Sequence, residues 1–337
     1  MILLSLLTLL STTSPTSHAY SWDGYNNPAN MDPGNHYQYR FTSLPAAGTL
    51  DRIPWSETYW PSYKGSINVR WNTPDQDGFY YTPNSKAELL SKSIEDLKQL
   101  SPAEKYDIYM GHYDYPLYHE VQNYGDPGAA DWNGICDGWT IAALQYPEPQ
   151  PVTLPNPDGI LVPFGSSDVK GLMSFTAAMH FDVQTGQVGV KCGRLHHCAD
   201  INAGAMHVVL ANQIGVQKIG FANDRFLGPE IWNQPTYAYK TEVMGSADDG
   251  VQVHTTLYYT DELDKSSWSP VVGTPQFKFA TIEMDYILDL DDQGNIVGGD
   301  WIDDSDHPDF FWIPLNKLEF KDSMAGINRI YQPVPFH

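Results

Sequence analysis

A cysteine between two glycines carries the clearest chemical signal in this 337-residue chain. Cys136 stands in the sequence GICDGW (134–139), just ahead of an apolar run that predicts the buried face of a helix. The dipole of such a helix favours the thiolate, and the unpaired N–H groups at its start can bind an oxyanion. Gly134 and Gly138 would let a substrate backbone come close. The alternative is a buried structural cysteine at a tight turn.

A nucleophilic cysteine needs a base, and the base needs a partner that fixes its tautomer. His207 lies in a continuous apolar run at 203–215 that predicts a buried strand, and Asp224 ends the next short strand. Cys136, His207 and Asp224 follow the papain-like order, and Asn233 is the alternative orienting residue. These residues could perform acyl transfer: the thiolate attacks an amide, a thioester forms, and a second nucleophile takes the acyl group.

The chain has three cysteines, an odd number. Cys192 and Cys198 are close enough in sequence to close a small disulfide loop, which would leave Cys136 as the free thiol. A metal site built from these two cysteines with His196 and His197 is the alternative, although the spacing is too crowded for a tetrahedral zinc finger.

Acidic residues between 289 and 300 suggest a second kind of site. Asp289, Asp291, Gln293, Gly294 and Asp300 match positions of an EF-hand calcium loop, but the flanking segments have the alternating pattern of strands. A hairpin turn around 292–295 explains the same residues without calcium.

Helical and strand patterns occupy different parts of the chain. Capping boxes at Ser85 and Ser101 predict two successive helices between 85 and 111, whereas alternating strands dominate after about residue 200. This segregation predicts an α+β fold, with N-terminal helices packed on an antiparallel sheet. Residues 20–84 lack periodicity and form either an irregular N-terminal wrap or a prosegment, so the catalytic domain is expected at 85–337.

The composition excludes some partners and suggests a location. Residues 1–19 combine an apolar run with a small-x-small site ending at Ala19, as in a secretory signal peptide. The net charge of −22 argues against nucleic acid, whose phosphates would repel the protein. No stretch is apolar enough over 18 residues to span a membrane, so we expect a secreted protein that does not bind membranes.

Several motifs in one order resemble the secreted transglutaminase-elicitor family of oomycete plant pathogens and marine vibrios. The resemblance covers roughly residues 85–315 and rests on SPAEKYDIYMG (101–111), GICDGW (134–139), VPFGSSD (162–168), NAGAMH (202–207), VLANQIG (209–215), IWNQP (231–235), GNIVGGDW (294–301) and HPDF (307–310). It implies a protein-glutamine γ-glutamyltransferase with a papain-like core, which joins glutamine and lysine side chains of protein substrates. The family's nucleophile corresponds to Cys136, its histidine to His207 and its acid to Asp224.

The resemblance also implies that no cofactor takes part in the chemistry, although calcium often assists the family. Two segments depart from the family pattern. Asp137 replaces the family's histidine after the cysteine, and a carboxylate there is expected to raise the pKa of the thiol. Residues 236–239 differ from the family's elicitor peptide, so elicitor activity is not implied. The rival functions are a papain-like peptidase or amidase that uses water as acceptor, and a non-catalytic secreted effector.

Overall fold

An antiparallel sheet with helices on both faces organises the computed structural model, which describes residues 22, 24–73, 78–192, 200–247, 250–302 and 307–335. This mixed helical and antiparallel architecture confirms the predicted α+β class. The predicted signal peptide at 1–19 and three residues of the crowded metal alternative, His196, His197 and Cys198, lie outside the described residues.

The described strands form one large sheet and one hairpin. The large sheet has the order β4-β10-β5-β6-β7-β8-β9, with β1 paired to β6, and β2 and β3 form the separate hairpin. The strands are β1 (Ala47–Thr49), β2 (Val152–Pro155), β3 (Leu161–Phe164), β4 (Thr185–Gly189), β5 (Phe221–Asp224), β6 (Asn233–Ala247), β7 (Gly250–Thr260), β8 (Phe279–Leu290), β9 (Ile296–Trp301) and β10 (Phe310–Pro314).

The α-helices are mostly short, and all of those described except α8 precede β5 in sequence. They are α1 (Lys86–Leu89), α2 (Ile94–Lys98), α3 (Pro102–Met110), α4 (Pro116–Tyr124), α5 (Cys136–Gln145), α6 (Ser166–Met179), α7 (Ala203–Leu210) and α8 (Ile327–Ile330). In the described part of the chain, none of them has the length and apolar character required to cross a membrane.

Local capping explains where the first helices begin. Ser101 caps α3 through the predicted capping box with Glu104, and Gly111 ends the helix with a left-handed φ of 78°. The helix predicted from Ser85 is divided into α1 and α2. Ser93 forms a second capping box with Asp96, which begins a new helix instead of continuing the first.

The large sheet separates two apolar cores, and alternate side chains of β10 belong to different cores. Phe310 and Trp312 pack in the same cluster as Cys136, below α5 and α6. Phe311 and Ile313 point to the other face and pack in the cluster that contains α7. Because successive side chains of a strand alternate between faces, α5 and α7 lie on opposite sides of the sheet.

The apolar run at 203–215 is a helix, so the strand predicted there is wrong. α7 covers 203–210, and a π-helical turn continues from Ala211 to Gln217. Asn202 caps α7, with its side chain accepting hydrogen bonds from the N–H groups of Gly204 and Ala205. A Cβ at Gly204 would lie 2.1 Å from the oxygen of Gly298, so the helix packs directly on β9. A continuous apolar run fits a buried helix as well as a buried strand.

The irregular segment before α1 is packed into the core. Trp55 is fully buried, and its carbonyl accepts a hydrogen bond from Trp139 Nε1 at 3.0 Å. The buried ammonium of Lys170 donates to the carbonyl of Ser56 at 2.9 Å and pairs with Glu148 at 2.7 Å. Residues 54–57 therefore satisfy a buried charge of α6. Whether the segment is a permanent wrap or a removable prosegment stays a prediction.

Candidate active site

Cys136 is the first residue of α5, as its motif predicts. The chain enters the helix under the segment at 59–60, where the N–H of Ile135 donates to the carbonyl of Tyr59 at 2.9 Å. A Cβ at Gly134 would lie 2.4 Å from that carbonyl oxygen, and one at Gly138 would lie 2.1 Å from the oxygen of Ser174 in α6. The glycines therefore make room for the protein's own chain, not for a substrate backbone as expected.

The thiol of Cys136 lies against the start of β6. Its sulfur is 3.8 Å from Nδ2 of Asn233, which donates to it, and 3.9 Å from the carbonyl oxygen of Ile231. The indole N–H of Trp312 donates to Oδ1 of Asn233 at 2.7 Å, which turns the NH₂ end of the amide toward the sulfur. Thr140 of α5 holds the same strand by donating to the carbonyl of Asn233 at 2.9 Å.

The environment of the thiol keeps it protonated. Only 7% of Cys136 is exposed, and burial is the main reason why the pKa of the thiol rises to about 12. The neighbouring carboxylate of Asp137 raises the pKa further, as expected from this departure from the family pattern. The hydrogen bond from Asn233 acts in the opposite direction because it stabilises the thiolate. The site as it stands holds a thiol, so a reaction requires a proton acceptor.

Asp224 lies beside the same three-residue segment as the thiol. It ends β5 directly opposite Asn233 on one side and Phe310 on the other, so its side chain shares the sheet face of Cys136. Its Oδ1 accepts the N–H of Trp232 at 2.8 Å, and its buried Oδ2 has no hydrogen-bond partner among the described residues. Burial raises the pKa of this carboxyl to about 7, a value suited to proton transfer near neutral pH.

His207 lies on the other side of the sheet. It is carried by α7, and its Nδ1 lies 2.8 Å from the hydroxyl of Tyr286, which is 2.7 Å from Oγ1 of Thr255. Burial lowers the pKa of the imidazole to about 4, so the ring is neutral at ordinary pH. The structure does not bring His207 to Cys136 or Asp224. No described histidine makes a hydrogen bond with the Cys136 thiol.

Two site features were missed in the sequence analysis. Glu262 is a half-buried carboxyl whose pKa desolvation and the nearby Asp261 raise to about 7, and its charge acts on the Cys136 thiol. Its Oε1 accepts a hydrogen bond from Nε2 of Gln234 at 2.6 Å. Trp312, which orients Asn233, was missed as well. Neither Glu262 nor Trp312 stands in a recognisable motif. Their hydrogen-bond partners, Gln234 and Asn233, belong to the IWNQP segment that supports the resemblance.

The other predicted features lie away from the thiol. Cys192 is disulfide-bonded, and Cys136 is the free cysteine of the described residues. The 291–294 segment forms a turn between β8 and β9, in which Oδ1 of Asp291 accepts the N–H groups of Gln293 and Asn295. Within the described ranges, no group of three or more histidine, cysteine or acidic side chains is arranged to hold a metal ion. The hairpin interpretation of this segment is confirmed, and a role of calcium stays a prediction.

Comparisons with known proteins identify a family and a fold. The family described as "Transglutaminase elicitor" matches residues 33–82, 120–263 and 246–334. The crystal structure of the GP42 transglutaminase from Phytophthora sojae is similar, with a TM-score of 0.70 and 23% sequence identity. This likeness covers 92% of the present chain and 97% of GP42. No curated protein sequence matches. At this identity, the likeness to GP42 concerns the fold.

Proposed function

The chain belongs to the transglutaminase elicitor family, and we propose that it is a secreted protein-glutamine γ-glutamyltransferase with Cys136 as its nucleophile. The observation that carries this proposal is the free, buried thiol at the first residue of α5, held against the side-chain amide of Asn233 at 3.8 Å. A cysteine at the start of a helix that packs on an antiparallel sheet also supports the papain-like core.

The proposed reaction has two halves. The sulfur of Cys136 attacks the γ-carboxamide carbon of a substrate glutamine, the C–N bond breaks, and the nitrogen leaves as ammonia with the proton from the thiol. A lysine amine of a second protein then attacks the thioester, which forms an isopeptide bond and returns a proton to the sulfur. The Nδ2 group of Asn233 and the first N–H groups of α5 are suited to stabilise the negative oxygen that develops in each half.

Asp224 is the proposed proton acceptor. Its Oδ1 is held by the N–H of Trp232, while the thiol contacts Ile231 and Asn233, so both groups face one short stretch of chain. The free Oδ2 and the pKa of about 7 allow the carboxyl to take a proton and return it. His207 lies on the opposite face of the sheet from Cys136, so direct proton transfer between these two residues is not part of the proposal.

The described conformation is a closed resting state in this proposal. A thiol with a pKa of about 12 does not transfer its proton readily to an acid with a pKa of about 7. The ring of Trp232 packs edge-on against the ring of Tyr59, with 5.7 Å between the ring centroids, next to the backbone that covers Gly134. Movement of these rings would admit substrate and water, and hydration would lower the pKa of the thiol.

Secretion is proposed from two features. Residues 1–19 have the pattern of a signal peptide, and Cys192 is disulfide-bonded, as is usual in an oxidising compartment.

Incorporation of a fluorescent primary amine into casein tests the proposed activity. Wild type and Cys136→Ala would be compared, each with calcium and with a chelator, and ammonia release would be measured in parallel. Labelling that requires Cys136 is expected. If ammonia release requires Cys136 but no amine is incorporated, water is the acceptor and the amidase alternative holds. If no labelling and no ammonia release occur with any calcium level, the transglutaminase proposal is wrong.

A further inference from the structure

A cavity of about 700 Å³ lies beside the segment that covers Cys136. One wall comes from residues 58–71 and another from residues 263–266. The aromatic side chains that line it are Tyr59, Trp60, Tyr63 and Trp71. A cavity of this size with several aromatic walls is suited to a short peptide segment or a molecule of similar size.

Tyr59 belongs both to this cavity and to the surroundings of Cys136. Its carbonyl accepts the N–H of Ile135 at 2.9 Å, and its ring contacts Trp232 at 5.7 Å. On the other wall, Leu263 donates its N–H to the carbonyl of Glu57 at 3.1 Å. An extended peptide advances about 3.3 Å per residue. Because Tyr59 joins the cavity wall to the start of α5, a segment that continues past Tyr59 runs toward the Cys136 end of that helix.

Two lysines bring positive charge to the lining of the cavity within an acidic protein. The chain carries a net charge of −22, but two lysines, Lys64 and Lys265, line the cavity without an ion-pair partner among the described residues. The other charged lining residues are compensated, since Arg70 binds Glu104 and Asp264 pairs with Lys278 at 3.2 Å. The lining therefore carries two lysines outside any described ion pair, and these favour an anionic segment beside them.

Two lining residues also hold polar atoms that have no partner. Trp60 is 4% exposed and Ser66 is 1% exposed, and neither Nε1 of Trp60 nor Oγ of Ser66 has a hydrogen-bond partner among the described residues. Both residues adopt a φ of 52°, which is uncommon for residues other than glycine. The left-handed backbone of these two lining residues is held by the packing around them, and such outliers cluster at ligand-binding sites.

We propose that this cavity binds an acidic segment of the glutamine-donor protein, a few residues away from the glutamine that reacts with Cys136. The inference rests on the proposed transglutaminase function and specifies its substrate class. Lys64 and Lys265 attract the carboxylates of the segment, and the aromatic walls pack against its apolar side chains.

Peptide binding to the Cys136→Ala protein tests the proposal without any chemistry. Two fluorescent ten-residue peptides would each contain one glutamine, and they would differ only in two flanking residues, which are aspartates in one and asparagines in the other. Fluorescence anisotropy should give at least a tenfold tighter Kd for the acidic peptide at low salt, a preference that shrinks at high salt.

Charge variants locate the binding. The K64E/K265E double variant, made in the Cys136→Ala background, should abolish the preference for the acidic peptide, and the neutral K64Q/K265Q variant should reduce it. The matched control is K317E/K321E, which makes the same charge change at two exposed lysines outside the cavity and should leave the preference unchanged. Circular dichroism and thermal melting would verify that each variant is folded.

The proposal is overturned if the two peptides bind equally, or if K317E/K321E weakens the acidic peptide as much as K64E/K265E does. Amine transfer to the same peptides by the wild type separates this result from the proposed function. A charge-dependent preference without Cys136-dependent transfer would keep the cavity as an acidic-peptide site and reject the activity. Transfer without the preference would keep the activity and reject the cavity.

Discussion

Asp224→Asn should abolish most of the proposed activity and at the same time stabilise the fold at neutral pH. Asparagine has nearly the same shape, and its Oδ1 can still accept the N–H of Trp232 that Asp224 accepts at 2.8 Å. Its NH₂ group takes the place of Oδ2, which has no partner among the described residues. The substitution therefore removes the titrating group while it keeps the hydrogen bond that positions the side chain.

The effect on activity follows from the role of a general base. Loss of such a group typically reduces the rate by about 10²–10⁴-fold. With a pKa of about 7, the ionised fraction of Asp224 rises about tenfold between pH 6 and pH 8. Wild-type kcat/KM should rise by a similar factor over that range, provided that Asp224 is the proton acceptor. The residual activity of Asp224→Asn should lack this rise.

The effect on stability has a defined sign. Burial raises the pKa of Asp224 from 3.8 in its usual environment to about 7, so the folded state binds this proton more tightly than the unfolded chain does. The resulting stabilisation is complete below about pH 4 and is lost as the pH rises through 7. Three pKa units correspond to about 4 kcal/mol. Asparagine loses nothing over this range, so the variant should be more stable than wild type above pH 7 by up to about 4 kcal/mol.

Urea denaturation and steady-state amine incorporation between pH 4 and pH 9 test both parts. The stability difference should grow from near zero at pH 4 to its full value above pH 7. An Asp224→Asn protein that is less stable than wild type at pH 8, or that keeps the full pH-dependent rise in kcat/KM, would refute the reasoning. If Glu262→Gln removes the rise instead, the proton acceptor is Glu262.

Three further substitutions examine the site and the N-terminal segment. Asn233→Ala should lower amine transfer by about 10²–10³-fold and slow alkylation of Cys136 by iodoacetamide, because the thiolate loses its donor; unchanged rates of both would contradict a role at the sulfur. His207→Gln should lower the free energy of unfolding, measured in urea, by about 1–3 kcal/mol, because the hydrogen bond to Tyr286 is weakened. Its kcat/KM should stay within about twofold of the wild-type value across the pH range. A hundredfold loss of kcat/KM in a folded variant would make His207 the base. Trp55→Ala should lower the free energy of unfolding by about 3–5 kcal/mol, which thermal melting would detect. A melting temperature equal to that of wild type would mean that the fold does not need residues 54–57, as expected if they belong to a prosegment.

Short-range signals in the sequence determined much of the local structure. The capping box at Ser101 and the helix stop at Gly111 depend on groups within about four residues of each other, so the sequence contains all the partners. The α+β class followed from the separate positions of helical and alternating patterns. The resemblance motifs, which extend along most of the chain, identified the family before any comparison of structures.

The tertiary structure decided which chemical groups meet. The run around His207 is apolar on every side, and such a run fits a buried helix or a buried strand equally well until its packing partners are known. As a helix it packs on β9, and the sheet then separates His207 from Cys136. Asn233 contacts the thiol, and Asp224 lies opposite Asn233, because β5 and β6 pair in a particular register beneath α5. Register and sheet face are set by contacts between residues far apart in sequence, so the order of Cys136, His207 and Asp224 along the chain could not determine whether the three residues come together.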